Sequence, residues 1–177
     1  TRPFVAAVLL GALVAPPAAV GAPPKALHQV GRWLVDTEGR VVILHGVNQT
    51  NKLPPYLPSA VGFGADDAAA IAAEGFNTVR LGLAHAGLAP APGAYDTTYL
   101  DDSAATASQL TAEGLYVLID LHQDLYAARY QGNGMAPWAT VDSSPTDPTL
   151  LPACAGGFPN NIFSCPFLWE AFDRLLG

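Results

Sequence analysis

The chain has 177 residues, half of them apolar and 13% charged, with a formal net charge of −7. That length suits one domain with a sizeable core, and the apolar content excludes a disordered chain. The acidic balance and the lack of any basic stripe exclude a nucleic-acid binder, because phosphate backbones need positive charge to neutralise them.

Arg2 precedes an apolar run from Phe4 to Val14, and a small-residue, Pro-rich stretch follows from Ala15 to Pro24. Charge, apolar core and small residues in that order predict a secretory signal peptide over residues 1–22. Val20-Gly21-Ala22 places cleavage after Ala22, which leaves a mature chain from residue 23 that is secreted. The apolar run of about 11 residues is too short for a bilayer core of roughly 30 Å, which takes about 20, so no stable membrane span is expected. The first residue is Thr rather than Met, so residues are expected in front of it.

Gly31 to Val35 reads as a short strand, and Asp36-Thr37-Glu38-Gly39 as a turn with Gly39 at positive φ. Arg40 to Val47 returns as the next strand, giving a short hairpin ahead of the main fold. Its run Val41-Val42-Ile43-Leu44 is apolar on both faces, as in a parallel sheet or a barrel wall. A Pro-rich loop, Lys52 to Gly64, follows, and Pro54-Pro55-Tyr56-Leu57-Pro58 within it rules out a helix there. Asp66 and Asp67 open an Ala-rich helix that ends at Glu74-Gly75, with acids at the positive end and glycine at the other. Phe76 to Leu83 is the next strand, Thr98 to Glu113 a second helix closed by Gly114, and Leu115 to Leu121 a third strand. Strand starts near Val41, Thr78 and Tyr116 lie 37 and 38 residues apart. Strands and helices alternating at that spacing predict right-handed βαβ units and a parallel sheet. The segment His122 to Ser164 is rich in Gly, Pro, Asn and Asp, and a last helix runs from about Pro166 to Leu176.

An open doubly wound sheet and an eight-fold barrel both fit this order. The first strand is followed by His45-Gly46-Val47-Asn48-Gln49-Thr50-Asn51-Lys52, with no glycine-rich phosphate loop, so a nucleotide site is not expected. Polar groups gather where the strands end, the face on which a barrel does its chemistry. They are Asn48 with Lys52, then Arg80, then His122-Gln123-Asp124, and a loop with Tyr126, Arg129, Tyr130 and Trp138. Arg80 lies inside an apolar strand, so its guanidinium implies a carboxylate partner, structural or functional. Asp120, His122 and Asp124 imitate a metal site, but no metal is expected there. Aromatic residues and prolines in the loops suit sugar or lipid contact, or packing on the rim. Cys154 and Cys165 are expected to pair after export, closing a loop of about ten residues.

Gly39 to Asn48 resembles the first strand of family 5 glycoside hydrolases, Gly75 to Leu81 the second, and Asp120-Leu121-His122-Gln123-Asp124 the third. Lys52-Leu53-Pro54-Pro55-Tyr56, Tyr126, Gly156-Gly157-Phe158-Pro159 and Ala171-Phe172-Asp173 narrow the resemblance to the endoglycoceramidase branch, across residues 28 to 176. The resemblance implies an α/β fold made of the N-terminal part, the first three βα units, of a (β/α)8 TIM barrel, with residues 23–177 forming that part. It implies a retaining glycosidase without a cofactor, acting on a carbohydrate or glycolipid through one acid/base Glu and one nucleophilic Glu. Arg80 would position and charge the nucleophile, His122 and Asp124 would line a sugar subsite, Lys52 would reach a sugar hydroxyl, and Asn48 would shape the pocket. Trp138 joins them as a candidate substrate contact. The branch cleaves between an oligosaccharide and ceramide, so apolar loop residues would cover lipid.

Two departures stand out. His85 stands where relatives often carry an aromatic residue, and Ala89 where an acid is common. Both catalytic residues are missing: the acid/base Glu belongs to an Asn-Glu-Pro on the fourth strand and the nucleophile to the seventh, whereas this chain has only Glu38, Glu74, Glu113 and Glu170, in a turn and in helices. The 177 residues alone are therefore expected neither to fold stably nor to hydrolyse glycosides. A cellulose-type hydrolase and a non-catalytic carbohydrate-binding remnant of a degenerate gene stay open beside the glycolipid reading.

Overall fold

The structure, a computed structural model, describes residues 22–144, 154 and 158–176. Residues 1–21 of the expected signal peptide lie outside them. Strands β1 (His28–Val30) and β2 (Trp33–Val35) form an antiparallel hairpin. A second turn follows over Asp36 to Gly39, where Gly39 has a φ of 78° and its N–H donates to Asp36 O at 3.0 Å. The Asp36 carboxylate accepts from the N–H groups of Glu38 and Arg40 and pairs with the Arg40 guanidinium at 2.7 Å, which fixes this turn. Val42 N–H then donates to Leu34 O at 2.9 Å. The expected turn is thus present, with Val35 bridging Val41 antiparallel across it, and the regular hairpin β1–β2 is an additional one that precedes it.

The first strand of the main sheet also differs from expectation. It is β3 (Gly46–Thr50), not Arg40 to Val47. The apolar run before it is largely exposed, with Ile43 at 76%. Its backbone is held instead by one side chain: Asn77 donates to Ile43 O at 2.9 Å and accepts from His45 N–H at 2.8 Å. Register with the next strand is set by close approach. A Cβ at Gly46 would lie 1.7 Å from the Thr78 carbonyl oxygen, so only glycine fits where the ladder begins.

Strands β4 (Thr78–Leu83) and β5 (Tyr116–Leu121) complete a parallel sheet in the order β3-β4-β5. Starts at Gly46, Thr78 and Tyr116 are 32 and 38 residues apart. Helix α1 (Ala65–Ala73) links β3 to β4, and Asp67 accepts from Gly64 N–H at its first turn at 2.9 Å. Between β4 and β5 come α2 (His85–Leu88), which the sequence pattern did not predict, and α3 (Thr97–Ala112). Asp96 caps α3 by accepting from Tyr99 N–H, which satisfies one of the free donors at a helix start.

One face of β4 makes the core. Val79 packs with Ala68, Leu110 and Leu115, and Leu81 and Leu83 pack with Tyr99. Truncating a fully buried leucine such as Leu81 or Leu110 to alanine costs about 2–5 kcal/mol. Alternation turns Arg80 and Gly82 to the opposite face. The chain after β5 builds a second cluster. Helices α4 (Asn160–Ser164) and α5 (Pro166–Leu176) place Leu168 and Ala171 against Tyr126, Ala127 and Tyr130. Cys154 and Cys165 are joined by a disulfide within this cluster, with their Cα atoms 4.5 Å apart. Asn161, fully buried, donates to Tyr130 O at 2.8 Å and ties α4 to the same loop.

Candidate functional site

The strand ends bring together five of the charged and polar groups that the sequence scatters over 73 positions from Lys52 to Asp124. Arg80 Nη2 lies 2.5 Å from Asp120 Oδ2. The same oxygen is 3.3 Å from His122 Nδ1. On the far side of the ring, His122 Nε2 is 3.4 Å from Asp124 Oδ2, outside hydrogen-bonding geometry. Asp124 Oδ2 is in turn 2.7 Å from Lys52 Nζ. The result is a continuous string, Arg80–Asp120–His122–Asp124–Lys52, across the ends of all three parallel strands.

Alternation explains its first half. Arg80 of β4 and Asp120 of β5 point to one face, at neighbouring levels of the register. The carboxylate that Arg80 requires is thus Asp120. Asn48 of β3 stands level with Arg80 and is exposed. The second half depends on the loop after β5. Backbone bonds pair Asp124 with Asn133 in both directions, at 3.0 and 2.8 Å, and Asn133 Nδ2 donates to the Asp124 carboxylate at 3.2 Å. Glycines on both sides of Asn133 permit this. A Cβ at Gly132 would lie 1.9 Å from Asp124 O, and one at Gly134 would lie 2.4 Å from His122 O. Leu125 and Tyr126 then adopt φ values of 52° and 65°, which ordinarily cost of order 1–3 kcal/mol each. Gln123 offsets part of that, its side-chain oxygen accepting from Tyr126 N–H at 2.6 Å.

Burial pushes the Asp124 carboxyl up, but hydrogen bonds from Lys52 and Asn133 and the charge of Lys52 outweigh it and hold the group below the usual carboxylate range. Asp124 is therefore an acceptor only, beside a donor-only ammonium. These two groups open onto a cavity of about 520 Å³ that is also bordered by Gln123, Asn133, Phe158 and Ile162. That volume falls in the range of small-molecule sites, roughly 300–1,000 Å³. Its lining mixes these polar groups with Leu125, Ile162 and Phe158, the last of which is 75% exposed.

Trp138 does not line this cavity. Its indole N–H donates to Ala89 O at 2.8 Å, and its ring meets His85 at a centroid distance of 5.3 Å. His85 Nδ1 accepts from Ala136 N–H at 3.2 Å. His85 and Ala89 thus both bind the loop that holds Trp138, and 41% of Trp138 remains exposed. Tyr126 and Tyr130 are buried, and Arg129 stacks on Tyr130 and contacts Asp142 and Ser144. Asp120 and Asn133 are the site residues that pattern reading missed. The Gly132-Asn133-Gly134 triplet was the available signal for the second. No group of three metal-ligating side chains occurs among the described residues. No described glutamate reaches the strand ends: Glu38 pairs with Lys25 and Arg40, Glu74 and Glu113 follow α1 and α3, and Glu170 lies in α5.

Residues 35–147 match the family Cellulase (glycosyl hydrolase family 5). The chain is 42% identical to Endoglycoceramidase I of Rhodococcus hoagii (strain 103S) over 155 residues, 88% of this chain and 30% of that protein. It is 37% identical to the Endoglycoceramidase of Cyanea nozakii over 111 residues, 60% of this chain and 22% of that protein. Among solved structures, Endo-glycoceramidase II from Rhodococcus sp. superposes with a TM-score of 0.63 at 32% identity, over 80% of this chain and 32% of that one. An endogalactoceramidase superposes with a TM-score of 0.68 at 24% identity, over 85% of this chain and 36% of that one, a likeness of fold. The α/β architecture described above is accordingly part of a TIM barrel.

Proposed function

The chain belongs to glycosyl hydrolase family 5, the cellulase family, and from that premise we propose that it supplies part of the substrate site of a retaining glycosidase that releases the glycan of a glycosphingolipid from its ceramide. The observation that carries the proposal is the string Arg80–Asp120–His122–Asp124–Lys52 beside a cavity with a partly apolar lining. Sugar hydroxyls both donate and accept. Lys52 offers donors to them and Asp124 offers acceptors, at adjacent points. Phe158 and Ile162 in that lining suit the aliphatic part of an amphipathic substrate.

Beyond its pair with Asp120, Arg80 on this proposal positions and charges the nucleophilic carboxylate. His122 and Asp124 line the sugar subsite, Lys52 reaches a hydroxyl, Asn48 shapes the wall beside Arg80, and the exposed face of Trp138 contacts the substrate's outer part. Retention requires two carboxyl groups about 5–5.5 Å apart. Glu38, Glu74, Glu113 and Glu170 do not provide them, so the pair is assigned to parts of a longer parent protein, and the 177 residues alone are proposed to be inactive. Residues 1–22 are proposed to direct secretion, which suits the Cys154–Cys165 disulfide. The test is incubation of the protein expressed from its complete reading frame with lactosylceramide in detergent micelles, with lactose and ceramide measured by mass spectrometry. Release of both supports the proposal. Hydrolysis of cello-oligosaccharides alone would replace it with a cellulase reading, and binding of either glycan without hydrolysis would leave a carbohydrate-binding remnant.

A further inference from the structure

In the charged string, Asp120 meets two proposed substrate-site residues through a single atom, each within hydrogen-bonding distance. Its Oδ2 lies 2.5 Å from Arg80 Nη2 and 3.3 Å from His122 Nδ1, while those two nitrogens are 3.5 Å apart. Two proton arrangements fit the distances. In one, His122 Nδ1 carries the hydrogen and donates to the Asp120 carboxylate. In the other, Nδ1 is bare and accepts from the guanidinium. The first gives the carboxylate two charge-assisted or polar donors, each within ordinary reach. The second puts a nitrogen lone pair beside an anionic oxygen, and its only compensation is a contact at the 3.5 Å limit from a group already bonded to that oxygen. At Nδ1 the first arrangement therefore has the lower energy, and the Asp124 oxygen 3.4 Å from Nε2, an acceptor only, leaves room for a hydrogen on that nitrogen as well.

We infer that Asp120 is a positioning residue for the site: it holds Arg80 at the level of Asn48 and fixes the Nδ1–H form of His122, so that the ring's Nε2 edge is turned to Asp124. Asp120 is anchored for this task. It lies on β5 in ladder register with Gly82, its side chain is 26% exposed, and the strand continues past it through His122 N–H donating to Leu83 O at 2.8 Å. Asp120, Arg80 and His122 stand behind the residues that line the cavity, and His122 reaches that lining at Asp124. Its influence on a substrate thus passes through Arg80 and His122, whose orientation it sets before anything binds.

The kinetic half of this inference rests on the glycosidase proposal; the spectroscopic half does not. The experiment uses the protein expressed from its complete reading frame, with ¹⁵N-labelled histidine, above neutral pH. Two-bond ¹H–¹⁵N spectra of wild type are expected to show a protonated Nδ1 at His122. Asp120→Asn keeps the shape but can turn its amide to donate to Nδ1, so the ring signals should shift to the Nε2–H form, and kcat on lactosylceramide should fall by up to about 100-fold with KM changed less. Asp120→Glu should recover part of kcat. A bare Nδ1 in wild type, or Asp120→Asn with unchanged ring signals and kcat, overturns the inference. Should Asp120→Asn fail to fold, the wild-type spectrum alone still decides the tautomer. A protein that cleaves no lactosylceramide but shows the expected spectra would count against the glycosidase proposal and not against the role of Asp120.

Discussion

Lys52 and Asp124 lie 2.7 Å apart, yet their side chains are 52% and 39% exposed. A pair so open to water contributes about 1 kcal/mol or less to stability. On the proposed function, its place at the cavity matters to the substrate more than to the stability of the loops. Lys52→Ala should leave the melting temperature within a few degrees of wild type and lower kcat/KM on a glycosphingolipid about tenfold or more, a loss of about 1.4 kcal/mol, mainly through KM. Equal loss of stability and activity would show the pair to be structural. The same variant tests the electrostatics. Asp124 is held below the ordinary carboxylate range, so its contribution to stability is fully present above the unfolded value of about 3.9 and is lost as pH falls through the lower folded value. A carboxyl ¹³C titration should place the wild-type midpoint below that of the unfolded chain, and Lys52→Ala should raise it.

Helix α5 is attached to the loop after β5 in a way that a pH series can follow. Glu170 Oε2 accepts from Ser143 Oγ at 2.6 Å and from Ser143 N–H at 3.1 Å, while Arg174 donates to Oε1 at 2.7 Å. These bonds, with Ser143 the largest influence, hold the Glu170 carboxyl down at about 2. A depressed carboxyl stabilises the fold above its unfolded value of about 4.3 and loses that effect on the way down to about 2. The melting temperature of Glu170→Gln should therefore fall below wild type at pH 6 and approach it as pH falls to about 2, in the protein from the complete reading frame; a gap independent of pH would show that the carboxylate charge plays no part. Strand β4 was legible because its apolar residues are the buried ones, β5 because its β-prone run is the one that pairs, and α5 because its apolar residues recur at helical spacing, while Gly75 and Gly114 mark where the preceding helices stop. Strand β3 was misread because the most β-prone residues, Val41 to Leu44, are not the ones that pair; a single contact between Gly46 and Thr78 sets the ladder. The need of Arg80 for a carboxylate was legible, and which carboxylate required the register of β4 against β5. The Asp124–Asn133 pairing was not legible, since it arises only when a Gly-Asn-Gly turn meets the end of a distant strand.

At the scale of the molecule, β3 and β5 are sheet edges among the described residues. Leu118, Ile119 and Leu121 on β5 are 53%, 53% and 60% exposed. A (β/α)8 barrel takes about 250 residues to close, and open apolar strand edges favour association. The 177-residue chain on its own should therefore melt without cooperativity and bind 8-anilinonaphthalene sulfonate strongly; a sharp, reversible melt without dye binding would show that it folds alone. The match of this chain to family 5 does not depend on that outcome, but the substrate does depend on the site. The most direct test is lactosylceramide cleavage by the protein from the complete reading frame, followed by mass spectrometry of both products, with Asp124→Asn alongside. The site as described predicts free lactose and intact ceramide from wild type and a loss of about tenfold or more in kcat/KM from the variant. Cleavage that proceeds equally well in both, or no ceramide release from wild type, would contradict it.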